Sequence, residues 1–395
     1  MKNVCIVGGL RSFIGVEKGM YKHLAAEEIG ADVVKALLKK FPVPISDIDG
    51  IIMGNSVGGC GNGARLLTLE AGLPESIPAL TVDTQCGSGL EAMAIAAAKI
   101  EAGLGNVFIA GGAESCSTKP VRTRSENHPD YKADGNNIYN VAKFVPGTPD
   151  ELTMFRGAEG VAVKWQMQKD ELDMWALRSH RLAADAQASG ILNDIIIAPH
   201  MRDRDKDVTK DETIRPKISE KLLKRLQPLV PGGKFITAGN ACLTQDGAAF
   251  VIICSKEYAY KHNLHVEAEL VDVLSVGVDP NFSPASTVPV VEKLLDRNNL
   301  SVSDITAWEF NEAFAVIDIL ATRELGIPEQ RYNIFGGAIA YGHPYGASGG
   351  IITLHLLKAL ELLEPAQKEA YGICSIAAAG GIGTAMLVRK VEDEL

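Results

Sequence analysis

Short apolar runs, several of them ending in glycine, alternate along the chain with amphipathic or alanine-rich stretches. Apolar runs of four to eight residues between turn residues are typical of buried strands, and apolar residues at helical spacing are typical of helices that cover a sheet. The pattern predicts a layered α/β fold. The predicted strands cover residues 3–9, 50–57, 106–115, 248–255, 307–313 and 371–390. The predicted helices cover residues 24–40, 64–72, 89–102, 159–167, 170–189, 218–226, 287–297, 312–324 and 348–362.

Two distant segments of the chain are similar at a constant offset of 257 residues. The run ISDIDGIIMGN at 45–55 matches VSDITAWEFNE at 302–312. The same offset relates two further pairs of positions: Cys86 with His343, and Gly89 with Gly346. The chain is therefore predicted to contain two related halves. Packed face to face, they would bring the N-termini of two equivalent helices toward a common centre.

The stretch between the two halves has a different composition. It is polar and charged, is too long for a plain loop, and contains predicted helices, which favours an inserted loop or lid domain. We therefore expect an N-terminal domain built from 1–117 and 243–268, an insertion over 118–242, and a C-terminal domain over 269–395. The basic residues between 215 and 225 are either a solvated helix face or a contact for a phosphate-bearing ligand.

Composition narrows the functional classes. The 395 residues carry 49 acidic and 39 basic side chains, for a formal net charge of −10, which disfavours nucleic acid as a partner. The seven cysteines are irregularly spaced and show no metal-ligand pattern, which is typical of reduced thiols in a cytoplasmic protein with no metal site. No apolar stretch approaches the length of a membrane span, so no membrane partner is expected.

Cys86 lies where a β-rich run gives way to an alanine-rich helix, within VDTQCGSGLEAMAIAAAKI at 82–100. The unpaired N–H groups at a helix N-terminus lower the pKa of a nearby thiol, so this position suits a nucleophile. Gly87 and Gly89 would let the backbone turn sharply and a substrate approach. The alternative is a buried, inert cysteine beside a turn.

Five motifs in order along the whole chain resemble those of the thiolases, the acetyl-CoA acetyltransferases and 3-ketoacyl-CoA thiolases. The motifs are DTQCGSGLEA around Cys86, ITAGNACLTQDGAA at 236–249, SVGVDP at 275–280, NEAF at 311–314 and GGAIAYGHPYGASG at 336–349. The resemblance implies a five-layered α/β/α/β/α core of two duplicated domains with an inserted lid. It also implies acyl-CoA and CoA as substrates, no metal or redox cofactor, and a homodimer or homotetramer.

The resemblance also implies roles for the catalytic residues. Cys86 would accept the acyl group as a thioester. His343 would take the thiol proton and help to hold a thioester oxygen. Asn311 would order a water in the oxyanion hole for the second acyl group, although a helix N-cap is an alternative role for it. Backbone N–H groups around Gly381 and Cys86 would form the other oxyanion hole.

Three further residues are expected to contact CoA on the same basis. Arg215 corresponds to a contact with the nucleotide end. Cys242 stands where many thiolases have a serine near the pantetheine. Phe314 completes this set.

The chain departs from the thiolase pattern at one catalytic position. A second reactive cysteine, in a C-terminal CxGGG motif, is expected to remove a proton from the α-carbon of the incoming acyl-CoA, and here Ala377 takes its place. Alanine cannot transfer a proton, and general acid–base catalysis is typically worth about 10²–10⁴-fold in rate. Cys374 lies three residues upstream, and residues three apart on a strand face opposite sides, so it is a poor substitute.

Three interpretations stay open. In the first, the protein is a thiolase that cleaves or forms 3-ketoacyl-CoA, with acetoacetyl-CoA as the expected substrate, and His343, a water or a rotated thiol supplies the base. In the second, Cys86, His343 and Asn311 carry out decarboxylative condensation, which needs no base. In the third, the chain is a CoA-thioester-binding assembly subunit without carbon–carbon chemistry.

Overall fold

The computed structural model describes residues 3–147, 151–200, 208–363 and 369–390. The strands are β1 Val4–Ser12, β2 Gly15–Val16, β3 Gly50–Gly54, β4 Ala79–Val82, β5 Val107–Ser115, β6 Arg122–Thr123, β7 Ile138–Tyr139, β8 Ile196–Ile197, β9 Gln245–Ser255, β10 Ala268–Gly277, β11 Ile305–Phe310, β12 Tyr371–Ala378 and β13 Ile382–Lys390. The helices are α1 Ala26–Lys40, α2 Gly63–Glu70, α3 Ser88–Glu101, α4 Thr153–Lys164, α5 Lys169–Ser189, α6 Glu220–Leu223, α7 Lys256–Lys261, α8 Thr287–Asn298, α9 Ala315–Arg323, α10 Ala338–Tyr341 and α11 Tyr345–Leu362.

The strand order shows the duplication directly. The first half contributes β4-β3-β5-β9-β1, and the second continues as β10-β13-β12-β11. Next to the outermost strand β4, the run β3-β5-β9-β1 pairs as parallel, antiparallel and antiparallel. The run β11-β12-β13-β10 of the second half repeats the same order of directions. The halves meet where β1 pairs antiparallel with β10, with Ile6 opposite Ala268. The two halves therefore have one topology, as the repeated sequence segments predict.

The helices divide into a central layer and two outer layers. Helices α3 and α11 each contact strands from both halves, so they lie between the two parts of the sheet. Helices α1, α2 and α7 cover the outer face of the first half, and α8 and α9 cover that of the second. Each helix layer corresponds to one of three apolar clusters in the core. The expected five-layered α/β/α/β/α fold is confirmed.

The two central helices touch through glycine. A Cβ added to Gly89 on α3 would lie 2.7 Å from the carbonyl oxygen of Gly346 on α11 and 3.1 Å from the amide nitrogen of Gly349. Only residues without side chains allow backbones this close. Because Gly89 and Gly346 are the pair related by the 257-residue offset, the two helix N-termini meet at a common centre, as predicted.

The segment between β5 and β9 interrupts the first half but packs largely on the second. Helix α4 contacts the turn Pro280–Ser286, and α5 contacts α9 and α10. A buried ion pair between Asp211 of this segment and Arg11 on β1 ties the segment to the first half, with both guanidinium–carboxylate distances at 3.0 Å. Part of its charged stretch, at 201–207, and residues 148–150 lie outside the described residues.

Several elements differ from the sequence prediction. The single strand predicted over 371–390 is a hairpin of β12 and β13, because Gly380 and Gly381 adopt positive φ angles of 87° and 77° and turn the chain. The helix predicted from residue 312 begins at Ala315, since 311–314 form an irregular link after β11. The pattern missed strands β4 and β10. None of the described helices combines the length and apolar character that a bilayer crossing requires.

Candidate active site

Cys86 lies in a tight turn between β4 and α3, two residues before the helix begins. The preceding residue, Gln85, has a positive φ of 55°, which is uncommon for a side chain other than glycine. Hydrogen bonds hold this conformation, because the Gln85 carbonyl accepts from Ser88 Oγ at 2.5 Å and from Ser56 Oγ at 2.9 Å. The strained turn is fixed by two serines and presents the cysteine ahead of the helix N-terminus.

The thiol of Cys86 is mostly enclosed, with the residue 9% exposed. Burial raises its pKa from 9.0 to about 12, and hydrogen bonds from the backbone of Ala379 and of Cys86 itself act in the opposite direction. The expectation that the helix N-terminus gives a lowered pKa is therefore wrong for the protein without substrate. Desolvation of the thiolate outweighs the helix effect. The thiol is neutral at pH 7.

His343 holds the equivalent position in the second half, two residues before α11 begins. Its Nδ1 lies 2.6 Å from Ser348 Oγ, and that hydroxyl donates to the carbonyl of Pro344 at 3.1 Å. With its proton committed to Pro344, the hydroxyl accepts from Nδ1–H, so the hydrogen is assigned to Nδ1 and Nε2 keeps its lone pair. Burial lowers the pKa of His343 to about 3. The imidazole is a neutral base at pH 7.

Asn311 lies beside this free nitrogen. Its Nδ2 is 3.4 Å from His343 Nε2, and its backbone N–H donates to the carbonyl of Ser375 on β12 at 2.8 Å. The N-cap of α9 is Phe314, so the alternative role of Asn311 as a helix cap is wrong. The structure therefore brings together His343 and Asn311, which the sequence separates by 32 residues.

Glu114, at the end of β5, joins the two halves behind the site. This buried carboxylate accepts from the amide of Gly346 at 3.0 Å, from Ser56 N–H at 2.9 Å and from Asn55 Nδ2 at 2.8 Å. It thus connects the loop after β3 to the N-terminus of α11. The sequence interpretation did not include Glu114 or Ser348. The available signal was a polar side chain within an otherwise apolar or glycine-rich segment.

Tyr345 links the imidazole to the thiols. Its ring centroid lies 5.0 Å from that of His343 at an angle of 89°. Burial raises the pKa of the Tyr345 phenol, and the charges of Cys116, Cys242 and Cys86 raise it further. The Tyr345 ring therefore contacts the imidazole, and its phenol interacts electrostatically with all three thiols, so Tyr345 connects the surroundings of His343 and of Cys86.

The backbone donor beside the nucleophile differs from the expected one. The amide of Gly381 donates to Ser283 Oγ at 3.0 Å, so it is already engaged. The backbone of Ala379, two residues earlier, makes the hydrogen bond to the Cys86 thiol. The Gly381 amide, which was expected to line an oxyanion hole, is therefore directed toward Ser283 by the turn between β12 and β13, and the backbone that contacts the Cys86 thiol is that of Ala379.

The three residues expected to contact CoA occupy different environments. Arg215 is exposed, and its backbone N–H donates to His180 Nδ1 at 3.2 Å. Phe314 is buried and packs edge-on against Phe155 of α4, with ring centroids 5.6 Å apart. Cys242 is half-buried, and its backbone N–H donates to the carbonyl of Ala313 at 2.9 Å. The role of each toward CoA stays a prediction.

Ala377 and Cys374 face opposite sides of β12. Ala377 packs with the outer layer of the second half, whereas Cys374 packs in the central cluster, 3.8 Å from Thr353 Oγ1 on α11. Burial raises the pKa of Cys374 to about 12. Cys374 is thus a buried thiol on the opposite face of the strand from Ala377, as the alternation of side chains predicts.

Comparison with known proteins identifies family models and relatives that match this chain over nearly its whole length. The family model described as "Thiolase, N-terminal domain" matches residues 4–257, and "Thiolase, C-terminal domain" matches residues 264–390. The Staphylococcus aureus (strain MW2) protein named "Putative acetyl-CoA C-acetyltransferase VraB" is 36% identical over 390 residues, with 99% of this chain and 100% of that protein covered.

Solved structures agree with the family models. The Bacillus anthracis acetyl-CoA acetyltransferase is 32% identical with a TM-score of 0.91, and the alignment covers 99% of each chain. Human mitochondrial 3-ketoacyl-CoA thiolase in complex with CoA is 31% identical with a TM-score of 0.88, covering 99% of this chain and 98% of that one.

Proposed function

This chain belongs to the thiolase family, whose members are acyltransferases, and we propose that it acts on CoA thioesters through an acyl group carried by Cys86. The reaction is the cleavage or formation of 3-ketoacyl-CoA, with acetoacetyl-CoA as the expected substrate. One observation carries this proposal. Cys86 and His343, equivalent in the two halves, precede helices whose N-termini are in contact.

The protonation states favour a particular first step. Cys86 and His343 are both neutral in the free protein, with a raised thiol pKa and a lowered imidazole pKa. Nucleophilic attack therefore proceeds by general-base catalysis, in which His343 Nε2 takes the thiol proton as Sγ adds to the thioester or ketone carbonyl. Backbone N–H groups of Cys86 and Ala379 would stabilise the resulting oxyanion. Asn311, beside His343 Nε2, would order a water in the oxyanion hole for the second acyl group.

The substrate contacts follow from the same arrangement. Acyl-CoA and CoA are the proposed small-molecule partners, with Arg215 toward the nucleotide and Phe314 beside the acyl end. The exposure of Arg215 and the burial of Phe314 suit these two ends of the ligand. The residues provide acid–base and nucleophilic groups, so the proposed chemistry uses no resident metal or redox cofactor.

Mass spectrometry of the intact protein tests the proposal. After exposure to acetyl-CoA or acetoacetyl-CoA, the wild-type chain should gain one acetyl group on Cys86. The C86S variant, which keeps the size of the side chain but replaces the thiol, should gain none within the same time. A folded wild-type protein that stays unlabelled with both compounds would refute the proposal.

A second candidate function is decarboxylative condensation. It is favoured by the absence of a thiol at Ala377 combined with the presence of Cys86, His343 and Asn311. Loss of carbon dioxide generates the carbanion without a base. Malonyl-CoA offered to the acylated protein should then give acetoacetyl-CoA far faster than acetyl-CoA does, and equal inertness toward both would reject this candidate.

We also propose a cytoplasmic homodimer or homotetramer. Strand β4 is the outermost strand of its half, and its Leu80 is 42% exposed. The adjacent helix α2 exposes Leu66 and Leu69 by 41% and 44%. An unpaired edge beside exposed leucines suits contact with a second copy. A monomer by sedimentation velocity at micromolar concentration would contradict it.

A further inference from the structure

Cleavage of a 3-ketoacyl-CoA creates a need for a proton donor. When the bond between C2 and C3 breaks, its electron pair stays on C2, and the departing acetyl-CoA enolate must be protonated there. During this step His343 Nε2 already holds the Cys86 proton, and Nδ1 is committed to Ser348. A second group near the reacting carbon would meet the need directly.

We propose that Cys242 is this group, a catalytic acid–base residue that donates its thiol proton to C2 in cleavage and removes it in the reverse direction. The inference rests on the proposed function, since it assigns the second proton transfer of that reaction.

The backbone places Cys242 between the two catalytic loops. On one side, Cys242 N–H donates to the carbonyl of Ala313 at 2.9 Å, and the neighbouring Ala241 pairs with Phe314. On the other side, the Leu243 carbonyl accepts from the backbone N–H of His343 at 3.1 Å. Cys242 is thus held by the segment that follows Asn311, and its neighbour Leu243 is hydrogen-bonded to His343, which precedes α11.

The Cys242 thiol also interacts electrostatically with the nucleophile and lies in a residue that is half-buried. Burial and then the charge of Cys86 raise the pKa of Cys242, so the two thiols interact. Cys242 is half-buried, whereas Cys116 and Cys374 are buried and Cys60 is exposed. A neutral thiol that feels the charge of the nucleophile, in a residue that is half-buried, is suited to act as a general acid.

The proton transfers balance over the full cycle. Cys86 Sγ bonds to C3 as its proton moves to His343 Nε2, and cleavage leaves the acyl group on Cys86 while C2 takes the proton of Cys242. The thiol of incoming CoA then returns a proton to the Cys242 thiolate, and the CoA thiolate displaces Cys86 from the acyl group. His343 finally returns its proton to Cys86.

Isotope exchange isolates the assigned step. Wild-type protein incubated in ordinary water with acetyl-CoA bearing a trideuterated methyl group should acquire the acetyl group on Cys86 and then release deuterium from further acetyl-CoA. In C242A and C242S, labelling of Cys86 should persist while deuterium loss slows by about 10²–10⁴-fold. The matched control C374A removes a buried thiol of the central cluster and should exchange at the wild-type rate.

The C242S variant distinguishes proton transfer by Cys242 from a purely structural or pantetheine-binding role. A hydroxyl would restore a structural or pantetheine contact but is too weak an acid to replace the thiol. Exchange at the wild-type rate in either C242A or C242S, or an acylated wild-type protein that exchanges no deuterium, would overturn the role of Cys242. A wild-type protein whose Cys86 never becomes acylated would instead refute the proposed function itself.

Discussion

Ser348 sets the reactive nitrogen of His343, and replacing it by alanine tests this arrangement. The Ser348 hydroxyl oxygen lies 2.6 Å from His343 Nδ1, and the hydroxyl donates a hydrogen bond to the carbonyl of Pro344 at 3.1 Å. In S348A the buried Nδ1–H loses its acceptor, and the imidazole is free to move its hydrogen to Nε2, where it cannot accept the Cys86 proton. Leaving one buried group unsatisfied costs about 1–3 kcal/mol. If that cost falls on the reactive tautomer, acylation slows by about 5- to 150-fold.

The assay is a quenched time course of Cys86 acetylation by acetyl-CoA, read by mass spectrometry under single-turnover conditions. The matched control is T353V on the same helix, because the Thr353 hydroxyl also donates to a carbonyl four residues earlier, Gly349 O at 2.8 Å. T353V should acylate at the wild-type rate. An S348A protein that is folded and acylates as fast as T353V would refute the assigned tautomer.

Two further predictions address the contact between the halves and the pH dependence. G89A adds a Cβ 2.7 Å from Gly346 O and should lower the free energy of unfolding by about 1–3 kcal/mol in a denaturant titration. The control is G61A, which should have little effect because a Cβ there meets nothing within 4 Å. Equal stabilities of the two variants would contradict the close contact. The pKa of His343 is lowered from 6.5 to about 3 in the folded protein, so below pH 6.5 the imidazole takes up a proton when the chain unfolds. The stability that the neutral imidazole contributes above pH 6.5 is therefore lost as the pH falls toward 3. Between pH 6.5 and 5, the free energy of unfolding of the wild type should fall by up to about 1.4 kcal/mol per pH unit more than that of H343N, as measured by denaturant titration. An equal fall in both proteins would rule out a buried neutral imidazole.

Much of the fold followed from local pattern. The 3-10 turns Ile45–Asp47 and Val302–Asp304 are separated by the predicted 257 residues, and so are the first residues of α3 and α11. Boundaries were less accurate where glycines mark a turn inside an apolar run, as between β12 and β13. An apolar run with internal glycines fits one long strand or a hairpin equally well until the backbone conformation of the glycines is known.

The sequence predicted the main residues of the candidate site better than it predicted their protonation and hydrogen-bond partners. Motif order pointed to Cys86, His343 and Asn311, and the structure places the latter two 3.4 Å apart. It did not point to Ser348 or Glu114, because their contacts with His343 and with the Gly346 amide form only in the folded chain.

The two-fold repetition, the strand and helix periodicity, and the chemical types available at each motif could be read from the amino-acid sequence alone. These are local properties, carried by side-chain spacing and composition. The packing of the folded chain decided the protonation of Cys86 and the contact of the Cys86 thiol with the backbone of Ala379 rather than of Gly381. It also decided the position of Cys242 between the catalytic loops. The reason is physical, since pKa values depend on how far packing removes water from a group, and hydrogen-bond partners depend on contacts between segments that are remote along the chain.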